Sequence, residues 1–266
     1  MRPTLDDLRQ DLEAETAALL DLIRPLTETQ WRTDTPADGW TIADTVGHLA
    51  YFDESAALSA CDPDRFNAQA AVLMERGMDF PDRLVVEFRS LTGRQVMAWF
   101  ERVRAELIDR SATLSTSTRV PWYGPSMSLA SLLTSRIMET WAHGQDVADA
   151  LGVKTEPTAR LRHVAHIGVG ARPFSYSIRG LATPTTPLRV ELCAPDGGLW
   201  VWGPADAADQ VVGDAFEFCR VVTQRQHLAD TSLQVVGEHA NGWMQIAQAF
   251  AGAPGPGRPA EAEQVA

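Results

Sequence analysis

The sequence predicts an all-helical bundle followed by a smaller α+β domain, and three observations lead to that fold class. Apolar residues recur at helical spacing through residues 1–151, with polar connections rich in turn formers between the runs. After Thr155 the pattern changes to short β-branched and aromatic runs mixed with shorter helical ones. The chain has 266 residues and is 45% hydrophobic, enough for two modest domains without staples. The expected layout is a bundle over 1–155, an α+β domain over 156–250 and a disordered tail over 251–266, where Pro, Gly and Ala dominate.

The first helix carries Leu5, Leu8, Leu12, Leu19, Leu22 and Ile23 on one face, and Pro25 disturbs its last turn. The turn-rich run TDTPADGW separates it from a helix opening at Thr41, where Thr41 and Asp44 make a T-x-x-D capping pattern. A shorter helix is expected over Arg65–Arg76 and a long one over Pro81–Arg110. The Ser/Thr-rich run SATLSTSTRVPWYGPS reads as a loop. The last bundle helix starts near Ser128 and stops before Gly152, a suitable C′ residue. Four main helices with polar connections describe an up-down four-helix bundle. In the second half a helix is expected from Pro157 to Val169. PLRVELCAP and GGLWVWGP read as strands around DGG, and GDAFEFCRVVTQRQ as a helix. LQVVGE reads as a short strand and HANGWMQIAQAFAG as a closing helix.

The formal charge is −12 and the sequence pI about 4.9. Residues 1–150 carry 24 acids against 14 bases and residues 151–266 carry 11 against 9, so neither half offers the basic footprint that a nucleic acid requires. No run of 18 apolar residues exists to span a membrane, and the acidic N-terminal segment lacks an apolar signal core, so the expected compartment is the cytoplasm. Cys61, Cys193 and Cys219 are far apart and have neither disulfide nor thiolate-metal spacing; they read as small buried hydrophobes.

The chemistry-bearing signal is Glu139-Thr-Trp-Ala-His143. Residues four apart stand one above the other on a helix, so both side chains reach one point. On a helical wheel Leu129, Leu132, Leu133, Ile137, Val147 and Leu151 define the apolar face; His143 falls inside it and Glu139 at its edge. A carboxylate and an imidazole facing a core are costly unless paired or metal-bound. His48, at the margin of the apolar stripe of its own helix, is the candidate third ligand across the bundle. Two His and one carboxylate suit zinc, and also nickel, iron or manganese, and leave coordination positions open. The plain alternatives stand beside this: an E-x-x-x-H pair is common on helix surfaces, and a lone His48 is an ordinary half-buried histidine.

Other residues have competing roles. Asp44 is better placed to cap its helix than to bind an ion. Asp53 lies inside an apolar stripe and needs a buried partner, with inward-facing Arg136 a candidate. Asp146 either orients His143 or is a solvated acid. His163 and His166 are three apart without a nearby carboxylate. Trp40, Trp99 and Trp141 read as core.

GWTIADTVGHLAYFDE, followed much later by METWAHGQDVADALG, resembles the mycothiol-dependent maleylpyruvate isomerase family, within the wider DinB-like metal-binding bundles. The matching positions are Gly39-Trp40-Thr41, His48-Leu49-Ala50, and Glu139 with His143. The stretch GDAFEFCRVVTQRQHLADTSLQVVGEHANGWMQIAQAFAG is similar to the sterol-carrier-protein-like domain often fused to these bundles. The resemblance implies a divalent metal, usually zinc, on His48, Glu139 and His143, and an open site for a low-molecular-weight thiol. Mycothiol is the expected thiol, and one Lys against 22 Arg is compatible with a GC-rich actinobacterial host. The function so implied is thiol-dependent transfer or isomerisation of a small electrophilic substrate. The second domain is expected to close over the site or to mediate a homodimer. The competing function is a non-enzymatic metal-dependent binding or sensing protein whose second domain holds an apolar ligand.

Overall fold

Capping decides where the helices begin. Thr4, Thr27, Thr41 and Thr92 each accept from the backbone N–H three residues on, and Asp7, Gln30, Asp44 and Gln95 reach back to the cap. In the computed structural model, which describes residues 3–77 and 79–264, these caps open α1 (Leu5–Ile23), α2 (Glu28–Trp31), α3 (Ile42–Cys61) and, after α4 (Pro63–Met74) and α5 (Phe80–Glu87), α6 (Gly93–Ala112). The strand β1 (Arg119–Val120), inside the segment expected to be a plain loop, pairs antiparallel with β2 (Met127–Ser128) just after it. They lead into α7 (Leu129–Leu151), which ends on Gly152 at φ +66°, as its place after the last apolar residue predicted.

The run expected as one helix over 81–110 is two. The break at Phe88–Thr92 has a local cause, the capping box of Thr92 and Gln95. It also has a distant one: a Cβ at Gly93 would lie 2.1 Å from the Trp31 ring, so α6 must start where a glycine lets α2 approach.

Four helices make the bundle. α3 packs on α6 and α7, and α1 packs on α7 and α6. Arg9 on α1 donates to the Ser111 carbonyl at the far end of α6, so these two run antiparallel. Asp53 meets Arg136, while His48 meets Glu139 and His143, so α3 and α7 are antiparallel too. The order is therefore up, down, down, up. The departure from strict alternation comes from the α3–α6 connection, long enough to hold α4 and α5 and to return α6 parallel to α3. Two apolar clusters fill the interior. One gathers Leu19, Ile23, Leu49, Phe100 and Val147, the other Leu8, Leu12, Leu107, Leu132 and Ile137.

The chain divides into two compact units, residues 1–155 and 156–266. In the second, α8 (Leu161–Gly170) and α9 (Arg172–Ser177) precede a mixed sheet of β3 (Leu188–Cys193), β4 (Leu199–Trp202), β5 (Asp209–Asp214) and β6 (Gln234–Val236) in the order β4-β3-β5-β6. β3 pairs antiparallel with β4 and parallel with β5, and β5 pairs antiparallel with β6. α10 (Ala215–Val222) and α11 (Glu238–Met244) pack on the sheet, and α12 (Glu261–Gln264) follows. This is the α+β domain the sequence predicts, with three differences. The strand DQVVGD, whose first four residues were unassigned, takes in Gly213 and Asp214 from the start of the expected helix and feeds α10; α9 was not expected, and the closing helix stops at Met244.

Two further expectations change. Residues 251–262 run against the second unit rather than free of it. Arg179 donates to the Gly255 carbonyl, the Glu261 N–H to Asp230, and Ala260 is buried. These contacts use backbone groups, which composition does not encode. Cys219 is buried, with its thiol pushed well above the usual range by burial, but Cys61 and Cys193 are exposed because each ends its element. Among the described residues no helix is long and apolar enough to cross a membrane.

Candidate metal centre

The helix caps of α3 and α7 set the axial positions of three side chains. His48 lies two turns into α3; Glu139 and His143 occupy successive turns of α7. Their ligating atoms converge, all within 4.8 Å of one another. His48 Nε2 stands 3.6 Å from Glu139 Oε2, and His143 Nε2 stands 3.5 Å from the same oxygen. The side chains are 11%, 20% and 11% exposed for His48, Glu139 and His143, so the cluster is desolvated yet reachable. Two ligands held tetrahedrally at about 2.1 Å from one ion stand ~3.4 Å apart, so these spacings suit a shared divalent cation.

Asp146, one turn beyond His143, accepts from His143 Nδ1 at 3.1 Å and is itself buried. Of its two alternatives, the orienting one holds. With Nδ1 turned to Asp146, the other ring nitrogen, Nε2, faces the Glu139 carboxylate, so the ring is held in the orientation an ion ligand needs.

The electrostatics favour ligating forms. Burial, set against the contact with Glu139, pushes His48 down to about 4, so its ring is neutral at pH 7. Burial alone would raise Glu139. Its contacts with His143 and His48 and the charges of His143 and Arg136 outweigh burial and hold the carboxyl well below the usual range.

Aromatic rings wall the cluster. Trp40 lies 5.0 Å from the His48 ring and stacks on His143 at 5.8 Å and 13°, its Nε1 donating to Asp82. Phe52 lies 4.6 Å from His48. Trp40 is thus buried, as expected, and also part of the site, which periodicity alone did not reveal. Trp99 packs on Phe88, and Trp141 is buried.

The remaining candidates fall elsewhere. Asp44 caps α3 and takes both Nε and a terminal nitrogen of Arg89 at 3.1 Å. Asp53, fully buried, accepts from Arg136 Nε at 2.8 Å as expected, and from Arg104 Nε at 2.8 Å, a partner that sequence reasoning missed. In the second unit His166 Nδ1 accepts from Trp202 Nε1. Among the described residues His48, Glu139 and His143 form the group of three suited to an ion.

Comparison with known proteins places the chain in a family and a fold. The sequence pattern of the Mycothiol maleylpyruvate isomerase N-terminal domain matches residues 12–148. Proteins of Mycobacterium tuberculosis from the H37Rv and CDC 1551 / Oshkosh strains, both described as uncharacterized, are 41% identical to this chain over 248 residues. The matches cover 93% of this chain and 96% of each relative. Among solved structures, the mycothiol-dependent maleylpyruvate isomerase has a similar fold. Its TM-score is 0.60 at 16% identity, covering 88% of this chain and 93% of that one. A mutant form of it gives 0.58, covering 84% and 90%. At 16% identity this likeness is one of fold.

Proposed function

The chain belongs to the mycothiol maleylpyruvate isomerase N-terminal domain family, and from that premise we propose that it is a cytosolic, divalent-metal-dependent enzyme. In this reading it uses a low-molecular-weight thiol, mycothiol, to isomerise or transfer a small electrophilic substrate. The observation that carries the reading is the convergence of His48 Nε2, Glu139 Oε2 and His143 Nε2 on one point. Zinc fits this donor set best, with nickel, iron or manganese as the other candidates.

In this reading His48, Glu139 and His143 hold the ion and leave part of its shell open. A bound divalent ion supplies the positive charge that keeps a cofactor thiol in its thiolate form. Asp146 keeps the His143 proton on Nδ1 and so keeps Nε2 available. Trp40 and Phe52 exclude water from one side of the cluster, which strengthens every charge interaction within it. The only cysteines are Cys61, Cys193 and Cys219, none of them in the ligand set, so the attacking sulfur comes from the cofactor.

No observation favours the binding or sensing alternative. A cavity of about 100 Å³ in the second unit has a mixed lining, with Gln224, Gln226 and Arg258 beside Val221, Leu228 and Met244. The discriminating experiment is thiol titration of the cobalt-substituted protein. A sulfur-to-metal charge-transfer band should develop, and binding should strengthen as pH rises toward the free thiol's pKa, ~8.5 for a cysteine-like group. A cobalt spectrum that millimolar mycothiol leaves unchanged would remove the thiol from the account.

A further inference from the structure

Five residues beyond His48 on α3, a second polar cluster is sealed in the bundle. Asp53 is 0% exposed, Arg104 2% and Arg136 2%. Asp53 accepts from Arg104 Nε through one oxygen and from Arg136 Nε through the other, both at 2.8 Å. Arg104 reaches two more helices, donating to Thr16 on α1 and, at 2.9 Å, to Thr140 on α7. Thr140 in turn donates to the Arg136 carbonyl at 2.7 Å. One carboxylate and two guanidinium groups thus tie all four bundle helices.

The cluster is joined to the ligands through the chain. Arg136 precedes Glu139 by three residues, less than one turn, and Thr140 follows it directly. The second terminal nitrogen of Arg136 donates to the carbonyl of Leu49, the residue after His48. Burying three charges is a poor way to gain stability, because apolar residues of similar volume often serve as well or better. Directional bonds do what apolar contacts cannot: they select one axial register. A slip of one residue along a helix is about 1.5 Å, whereas metal–ligand distances tolerate ~0.2 Å.

We infer that the Asp53–Arg104–Arg136 node is the positioning element that fixes α3 against α7, and so places His48 over Glu139 and His143 for metal binding. This inference rests on the metal-site reading above. None of the three residues is a ligand; each acts through the helix that carries one.

The test uses the full-length protein as wild type and as the Asp53→Leu/Arg104→Met/Arg136→Met variant. Both are titrated with Co2+ against a competing chelator, and thermal melting is followed in parallel. The apolar node should fold and melt near the wild-type temperature, yet bind cobalt about 10- to 100-fold more weakly, with altered d–d bands. Should that variant fail to fold, Arg136→Lys keeps the buried charge but loses the two-directional contact to Asp53 and Leu49. It too should bind at least about tenfold more weakly, with a changed spectrum. A folded variant with wild-type affinity and wild-type bands overturns the inference, because a merely structural node would lower the melting temperature and leave the folded fraction's metal site unaltered. A wild type that binds no cobalt removes the metal reading itself, which is a distinct result.

Discussion

At the scale of single residues, His48 links protonation to folding. Its buried ring resists the proton that the unfolded ring accepts near 6.5, since burial pushes it down to about 4. Between those values the unfolded chain binds more protons, so stability rises with pH there. In metal-free protein this contribution is complete above 6.5 and is lost as pH falls to 4, a change of about 3 kcal/mol. Urea midpoints measured from pH 7.5 to 4 should fall more steeply for wild type than for His48→Gln. Equal slopes would mean that His48 is not the group responsible. The clustering of the three candidate residues could be anticipated from the sequence because Glu139 and His143 are four apart on a recognisable helix face and His48 sits at the margin of another. Arg104 was not. A single arginine within GRQVMAWFERVRAELIDRSA reads as one more solvated charge, and its burial follows from Asp53 and Thr140, side chains on other helices.

At the scale of elements, the boundaries that local chemistry sets were readable, and those set by distant packing were not. α3 starts after Thr41 and α7 stops at Gly152 because a cap or a left-handed residue marks each end. The α5–α6 break escaped because apolar periodicity runs through it, and the reason α6 begins at Gly93 lies at Trp31. Gly93→Ala should therefore destabilise the protein by about 1–3 kcal/mol, since its Cβ has to displace a buried indole. Thr92→Ala, which removes the cap without any clash, should cost about 1 kcal/mol. Chemical denaturation of the two variants separates the causes: a Gly93→Ala variant as stable as wild type would show that the Trp31 approach does not set the boundary. β5 was hidden for another reason. The strand feeds α10 with no intervening turn, so its last two residues, Gly213 and Asp214, read with the helix that follows.

At the scale of the whole molecule, the two-part organisation was visible as a change of period near Thr155, whereas the order of helices in the bundle was not. α6 lies parallel to α3 because α4 and α5 carry the chain back along the bundle, and no local pattern encodes that return. The proposed ligands come from α3 and α7, both within residues 1–155, the first compact unit. The most direct test of the central claim is the metal content of purified full-length protein, measured by elemental analysis beside His143→Ala and the 1–155 fragment. About one divalent ion per chain is expected in the wild type and in the helical fragment, and almost none in His143→Ala, which should keep wild-type helicity. A wild type that is metal-free and resists reconstitution, or a His143→Ala variant that retains a full equivalent, would contradict the account.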